Sequence, residues 1–410
     1  MRRLKVLISA YACEPHKGSE PGVGWNISRQ MARYHEVWVV TRSNNRPAID
    51  AELPDGARSG LHFVYYDLPS WAQWWKRGKR GVQLYYYLWQ MAIYFVVWRL
   101  HRCVQFDLVH HLTFGKYWSP SFLSLLPVPF LWGPVGGGES APKGFWKGFG
   151  LRGLIFENLR ELVRWFAEYD PFIRLTAKRS AWVLTKAPET SVRVKKLGAR
   201  TVEILGESAV SAGDVATVCD ESLTNSVCRF VSVANLLHLK GFHLSLQAFA
   251  LAQLACSEYW IIGDGPERQR LQTLAQTLGI ADRVMFFGQL PRSEVLKKIK
   301  ECHVLVHPSL HDSGGWVCLE GMASGRPVIC LDLGGPATQV TPQTGFKVPA
   351  DSPPLVIQEM AQAMNRLAQD KTLRRRMGQA ARNHMAASFT WERKGELLNR
   401  YYTAIATSVR

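Results

Sequence analysis

Acidic residues are scarce in this chain: 33 Asp and Glu stand against 50 Lys and Arg, a formal net charge of +17. No two aspartates are separated by a single residue, so the Asp-x-Asp pair that can hold a divalent cation on a diphosphate is missing. The eight cysteines, at 13, 103, 219, 228, 256, 302, 318 and 330, include no Cys-x-x-Cys, and their spacings fit neither a zinc site nor a disulfide framework. They read as reduced, mostly buried thiols of a cytosolic protein. Gly-x-Ser-x-Gly, a Walker loop and His-Glu-x-x-His are also absent, which removes three large hydrolase classes. No uncharged apolar run reaches the roughly 20 residues of a spanning helix. The apolar N-terminal run meets Glu14 early and reads as a first strand, not as a signal peptide.

What is present is ordinary in bulk and uneven in layout. The 410 residues, 47% hydrophobic and 20% charged, suffice for two or three domains with normal cores. Through Glu207 there are 29 Lys and Arg against 16 Asp and Glu; the remainder holds 21 against 17. A basic first half points to an anionic partner, nucleic acid or an acidic membrane, unless it is merely a solvated face. No motif of a nucleic-acid-binding fold appears.

Short apolar strands alternate with helical patterns, the mark of βαβ units and parallel sheets. In the first half the strands are Leu4–Ser9, Val37–Thr41, Leu61–Tyr66, Leu108–Leu112, Pro129–Trp132 and Trp182–Thr185, with a helix over Gly24–Tyr34. The polar, aperiodic stretch 206–227 reads as a linker. A second series follows, with strands Phe230–Leu236, Trp260–Ile262, Val284–Phe287, Val304–His307 and Pro327–Leu331, then helices Pro354–Ala368, Leu373–Ala387 and Trp391–Ala406. The expected fold class is α/β: two doubly wound, Rossmann-like domains, 1–205 and 228–390, with ligands in a cleft at the carboxyl ends of the strands. The helix at 391–410 could return to the first domain.

Two segments interrupt the first series. Val82–Trp98 is 17 residues without a charge, and it follows Lys76, Arg77, Lys79 and Arg80. Lys143–Phe166 interleaves aromatic and aliphatic residues with Lys143, Lys147, Arg152, Arg160 and Arg164. Each is either an interfacial membrane element or an ordinary core helix.

The chemistry concentrates in HPSLHDSGGWVCLEGMASGRPVICLDLGG, residues 307–335. A strand ends at His307, a loop carries Asp312, and Gly314 and Gly315 open a helix. Backbone amides at such a helix start suit a phosphate. Glu320, further in, would repel phosphate but can accept from sugar or ribose hydroxyls. In the first half, His110 and His111 end a strand. Adjacent strand residues point to opposite faces, so at most one can face a cleft. The run GPVGGGES (133–140) is a glycine-rich loop after a strand, either a flexible turn or a close-approach surface.

The 307–335 segment resembles the signature of family-4 retaining glycosyltransferases of the GT-B fold, Glu-x7-Glu within a Pro-Ser…Gly…Leu-Glu-Ala-Met-Ala-x-Gly-x-Pro-Val frame. Pro308, Ser309, Gly315, Leu319, Glu320, Met322, Ala323, Gly325, Pro327 and Val328 fall in register; the first Glu becomes Asp312 and the Glu-Ala pair becomes Glu320–Gly321. VANLLHLKGFHLSLQAFA (233–250) is similar to the stretch with the phosphate-binding Arg and Lys: Lys240 matches the lysine, and Asn235 stands at the arginine. IIGDGPERQRL (261–271) resembles the Gly-x-Gly-Pro stretch with Gly263 and Gly265, and VMFFGQLPRSEV (284–295) the segment flanking the donor base, with Gly288 and Gln289. In the first half, LISAYACEPHKGSEPGVGWN fits a first strand and its glycine-rich loop with Gly22 and Gly24. FDLVHHLTF fits the strand bearing the family histidine.

The resemblance implies an enzyme that moves a sugar from a nucleoside-diphosphate sugar, with retention and without metal or other cofactor. Lys240 would neutralise the diphosphate and Asp312 would hold the sugar or orient Lys240. Glu320 would hold the ribose, and His110 would contact the sugar. Gly22, Gly24, His111, Gly136 and Gly137 would line the acceptor side. The acceptor would be a glycan or lipid-linked molecule of envelope or exopolysaccharide synthesis. The enzyme would sit at the cytoplasmic face of an anionic membrane, with no nucleic-acid partner. A nucleotide-sugar epimerase and a non-catalytic basic binding protein are the alternatives.

Overall fold

The structure, a computed structural model, describes residues 2–53, 60–73, 81–211 and 227–408. The chain divides into two compact units. Unit 1 comprises Met1–Gly138, Glu161–Glu207 and Trp391–Arg410; unit 2 comprises Glu139–Arg160 and Ser208–Thr390.

Unit 1 holds seven parallel strands: β1 Lys5–Ser9, β2 Glu36–Thr41, β3 Leu61–Tyr65, β4 Leu108–His111, β5 Phe130–Val135, β6 Trp182–Thr185 and β7 Val202–Ile204, in the order β3-β2-β1-β4-β5-β6-β7. Unit 2 holds six: β8 Cys228–Val233, β9 Ser257–Ile262, β10 Val284–Gly288, β11 Val304–His307, β12 Val328–Leu331 and β13 Gly345–Val348, in the order β10-β9-β8-β11-β12-β13. The central strands are apolar on both faces because helices cover both sides of a parallel sheet, and β4, β5, β11 and β12 are buried along their whole length. The two strands that pattern reading does not find, β7 and β13, are sheet edges. Each has one neighbour to satisfy, so the apolar run that marks a central strand is not required. In each sheet the winding reverses once, between β1 and β4 and between β8 and β11. Open α/β sheets bind their ligands at such a reversal, outside the carboxyl ends of the strands.

The aromatic run after residue 81 is one helix, Val82–Val104. Its Tyr85, Tyr86, Trp89, Ile93 and Val97 are buried in the core of unit 1 with Tyr11, Phe130 and Trp132. The core reading of this segment therefore holds for one face. The basic cluster Lys76, Arg77, Lys79 and Arg80 lies outside the described residues, as does most of the expected linker, 212–226. Lys143–Phe166 is not one helix. A 3-10 segment, Lys143–Phe149, ends at Gly150 with φ of +68°, and a separate α-helix runs over Gly150–Glu168. Phe145 and Phe149 enter the core of unit 2. Among the described residues no helix is long and apolar enough to cross a membrane.

The helix Trp391–Ser408 belongs to unit 1 although unit 2 precedes it in sequence. Its Leu398, Tyr402 and Ile405 are buried.

Candidate functional site

The switch point of unit 2 brings together two loops about seventy residues apart. The loop after β8 carries Asn235 and Lys240; the loop after β11 carries Asp312, Gly314 and Gly315. Their backbones interlock. Leu310 N donates to Leu239 O at 2.9 Å, and a Cβ on Gly241, at φ +67°, would lie 2.0 Å from Pro308 O. Only glycine lets the loops approach this closely.

Lys240 Nζ donates to Asp312 Oδ2 at 2.8 Å and lies 3.4 Å from His311 O. His307 Nε2 sits 3.2 Å from the same carboxylate oxygen. The other oxygen, Oδ1, accepts from the amides of Gly314 and Gly315, both at 3.0 Å. Burial alone would raise the Asp312 carboxyl. The His307 contact, the Lys240 charge and the Gly315 amide outweigh it and hold the group well below the usual carboxylate range. Gly314 O in turn accepts from Ser208 Oγ and Gln339 Nε2, each at 2.6 Å, so the glycine turn is held from both sides. Gly315 caps the helix Trp316–Ala323 at φ +60°, where an added Cβ would meet Gln339 Oε1 at 2.6 Å.

The sequence leads one to expect the Gly314 and Gly315 amides to face a phosphate. In the structure they donate to Asp312, so the carboxylate fills the anion position. Glu320 Oε1 accepts from Arg292 Nε at 3.1 Å. Arg292 is a cation that motif reading passed over, although it lies in the quoted LPRSEV stretch. Asn235 and Gln289 are exposed. Gly263 and Gly288 have a backbone role: Gly263 N donates to Gly288 O at 2.8 Å, and a Cβ on Gly263, at φ +134°, would lie 1.9 Å from Ala234 O. Gly265 packs in the same way against Leu236 O, at 2.5 Å from an added Cβ.

In unit 1 several expectations need correction. His110 is fully buried, with Nδ1 2.6 Å from Tyr402 Oη and Nε2 on Gly133 O. A carbonyl can only accept, so Nε2 carries the proton and Nδ1 accepts from the tyrosine. Burial pushes His110 down to about 4, which keeps the imidazole neutral, and both nitrogens are occupied. His111 points to the opposite face, toward Tyr86 Oη at 3.0 Å, and burial with the neighbouring His110 pushes it down to about 3. Neither imidazole reaches the surface. Gly22 and Gly24 are not in an open loop but in the helix Ser19–Ala32, where a Cβ would lie 2.1 Å from Lys17 O and 2.2 Å from Ala12 O respectively. Gly136 exchanges backbone hydrogen bonds with Gly115 and Tyr117, and Gly137, at φ +87°, lies against the Trp118 ring.

A buried charge cluster at the carboxyl edge of unit 1 carried no motif. Lys186 Nζ meets Glu207 Oε2 at 2.6 Å and Glu20 Oε1 at 3.7 Å, and Lys394 donates to Gly206 O. Sequence gives no signal for it, because its members come from four separate segments.

Comparisons with known proteins bear on the family of one segment and on the fold. Residues 226–384 match the family model "Glycosyl transferases group 1". The chain is 33% identical over 181 residues to a D-inositol 3-phosphate glycosyltransferase of Corynebacterium jeikeium, covering 42% of each chain. It is 28% identical over 211 residues to the lipopolysaccharide core biosynthesis glycosyltransferase LpsD of Rhizobium meliloti, covering 50% of this chain and 58% of that one. The chain thus spans about half the length of the curated relatives it matches. A sucrose-phosphate synthase from Thermosynechococcus elongatus superposes with a TM-score of 0.67 at 18% identity, over 99% of this chain and 100% of that one. That likeness extends the shared fold across both units. The chain thus carries, over residues 226–384, a segment that matches the glycosyl transferases group 1 model, within two switch-point sheets that have the GT-B fold.

Proposed function

We propose that this protein is a retaining glycosyltransferase that moves a sugar from a nucleoside-diphosphate sugar to a hydroxyl of a glycan or lipid-linked acceptor, without a metal or other cofactor. The observation that carries the reading is the Lys240–Asp312 pair at the switch point of unit 2, with Lys240 Nζ held 2.8 Å from the carboxylate. Lys240 neutralises the charge that develops on the departing diphosphate, and its pairing keeps the ammonium in place before the donor arrives. Asp312 occupies the Gly314 and Gly315 amides. A donor phosphate that takes them exchanges one anion for another and releases the carboxylate toward the sugar hydroxyls. Glu320, joined to Arg292, stands further along the same helix for the ribose. Metal independence rests on the missing Asp-x-Asp and on a lysine already placed for the charge. An envelope acceptor is supported by the likeness to a lipopolysaccharide core enzyme and by the basic first half of the chain, which suits an anionic membrane surface.

The test is nucleoside-diphosphate release from a panel of nucleotide-sugars. Wild type should release one of them, and EDTA should leave the rate unchanged. Lys240→Ala should lower kcat/KM by at least about 10²-fold. A Lys240→Ala rate equal to wild type removes the assignment, and a loss with EDTA that Mg²⁺ restores removes the metal-free reading.

A further inference from the structure

The helix Gly150–Glu168 is built inside out. On a helix of a soluble protein the apolar stripe faces the core and the charges face water. Here Glu157 and Arg164 are 0% and 2% exposed, whereas Leu151 and Phe166 are 75% and 62% exposed. Ile155, Leu159, Leu162 and Trp165 continue the outward stripe, each at least half exposed. The spacing 151, 155, 159, 162, 166 keeps these residues on one face, and 157, 161, 164, 168 keeps the charges on the other.

The inward charges are pinned. Within unit 2, Glu157 pairs with Arg160 and lies 3.2 Å from His238 Nε2. Within unit 1, Glu161 pairs with Arg164 and lies 3.1 Å from Arg193, and Glu168 accepts from Arg193 at 2.8 Å and Tyr117 at 3.0 Å. Rotating the helix to hide its apolar stripe would strand these carboxylates and guanidiniums, so the exposure is fixed by the structure.

Charge identifies what covers the stripe. From Lys143 to Arg179 every exposed charged residue is basic: Lys143, Lys147, Arg152, Arg174, Lys178 and Arg179. All four acids of this stretch are buried or partly buried. A second copy docking face to face would set these cations against their own images, because a two-fold interface pairs each patch with itself. Nucleic acid would match the cations and leave the aliphatic and aromatic stripe without a partner. A bilayer with anionic headgroups satisfies both: acyl chains take the apolar stripe and headgroups take the cations.

We infer that the outward face of Gly150–Glu168, with Arg152 in its first turn and Lys143 and Lys147 in the segment that leads into it, is the surface by which the protein docks on anionic lipid. The inference rests on the reading above for its purpose, since a lipid-linked acceptor requires the enzyme at the membrane. The experiment is co-sedimentation of the full chain with vesicles of phosphatidylcholine alone and of phosphatidylcholine mixed with phosphatidylglycerol. Wild type should partition onto the mixed vesicles, more weakly at high salt. The double variant Leu159→Glu/Phe166→Glu should partition at least about tenfold less, and Lys147→Gln/Arg152→Gln should lose about fivefold per cation removed. Phe95→Glu, exposed on the other aromatic helix, should bind as wild type. All three variants should melt with wild type, because they change exposed positions. Equal partition onto both vesicle types overturns the inference, and so does a Leu159→Glu/Phe166→Glu variant that binds like wild type. Gel filtration adds a third outcome: a wild-type dimer that this variant dissolves would assign the face to a second copy instead. Loss of nucleoside-diphosphate release with vesicle binding intact would defeat the catalytic reading and leave this one standing.

Discussion

Asp312 has four polar neighbours: Lys240, His307 and the amides of Gly314 and Gly315. Its depressed pKa is a stability statement. The contribution is present above the ordinary carboxylate value of about 3.9 and is lost as pH falls through the lower folded value. Asp312→Glu restores the commoner family residue and adds one methylene. Lys240 stays within reach of the longer carboxylate, so steady-state activity should change by no more than about tenfold in either direction, or about 1.4 kcal/mol. Complete inactivation would show that the site is built around the shorter chain. Lys394 works in the opposite sense: burial pushes it down to about 7, with Glu207 opposing. The unfolded value is about 10.4, so between pH about 7 and 10 the unfolded chain binds more protons and stability rises with pH from this group. Lys394→Met should flatten that rise in a series of melting curves across the interval. An unchanged slope would place the titration elsewhere.

At the scale of elements, the loops that build the site are held by backbone against backbone, and the glycines are where this is legible. Gly263 combines φ of +134° with a would-be Cβ 1.9 Å from Ala234 O. Gly263→Ala should therefore cost more than about 1 kcal/mol and lower the melting temperature by at least about 2–4 °C. A variant that melts with wild type would show that the β9 loop can move aside. The same arithmetic explains why glycines that resemble ligand-contacting positions in the motif act here through packing. A Gly–Gly approach and a Gly–phosphate approach call for the same residue, and a sequence cannot distinguish them.

For the whole molecule, the chain path has a mechanical consequence. Trp391–Ser408 completes unit 1, where Tyr402 is fully buried and bonds His110 at 2.6 Å. A chain ending at Thr390 lacks that helix yet keeps every residue of unit 2. Limited proteolysis of such a truncation should cut first within 1–207, leaving fragments of 228–390 protected. Protection of both units equal to the full chain would mean that unit 1 stands without the helix.

The sequence by itself determined the two α/β series, most strand positions and the 307–335 motif, while the family resemblance left Asp312 either to hold the sugar or to orient Lys240. Each depends on local pattern: short apolar runs between turn residues, or a dense motif whose spacing folding preserves. Trp182–Thr185 and Val304–His307 match at both ends. Only the tertiary structure decided which histidine nitrogens are occupied, that Asp312 fills the anion position, that Arg292 meets Glu320, and that Glu139–Arg160 joins unit 2. It also decided the fate of the two aromatic segments. Val82–Trp98 and Lys143–Phe166 share composition and period, yet one turns five aromatic and aliphatic side chains into a core, while the other's helix hides its charges and shows its apolar stripe. Periodicity says that a helix has two faces. Which face meets water is set by what the rest of the fold presents to it, and for Gly150–Glu168 that is Arg193, Tyr117 and His238, residues remote in sequence that supply partners for charge.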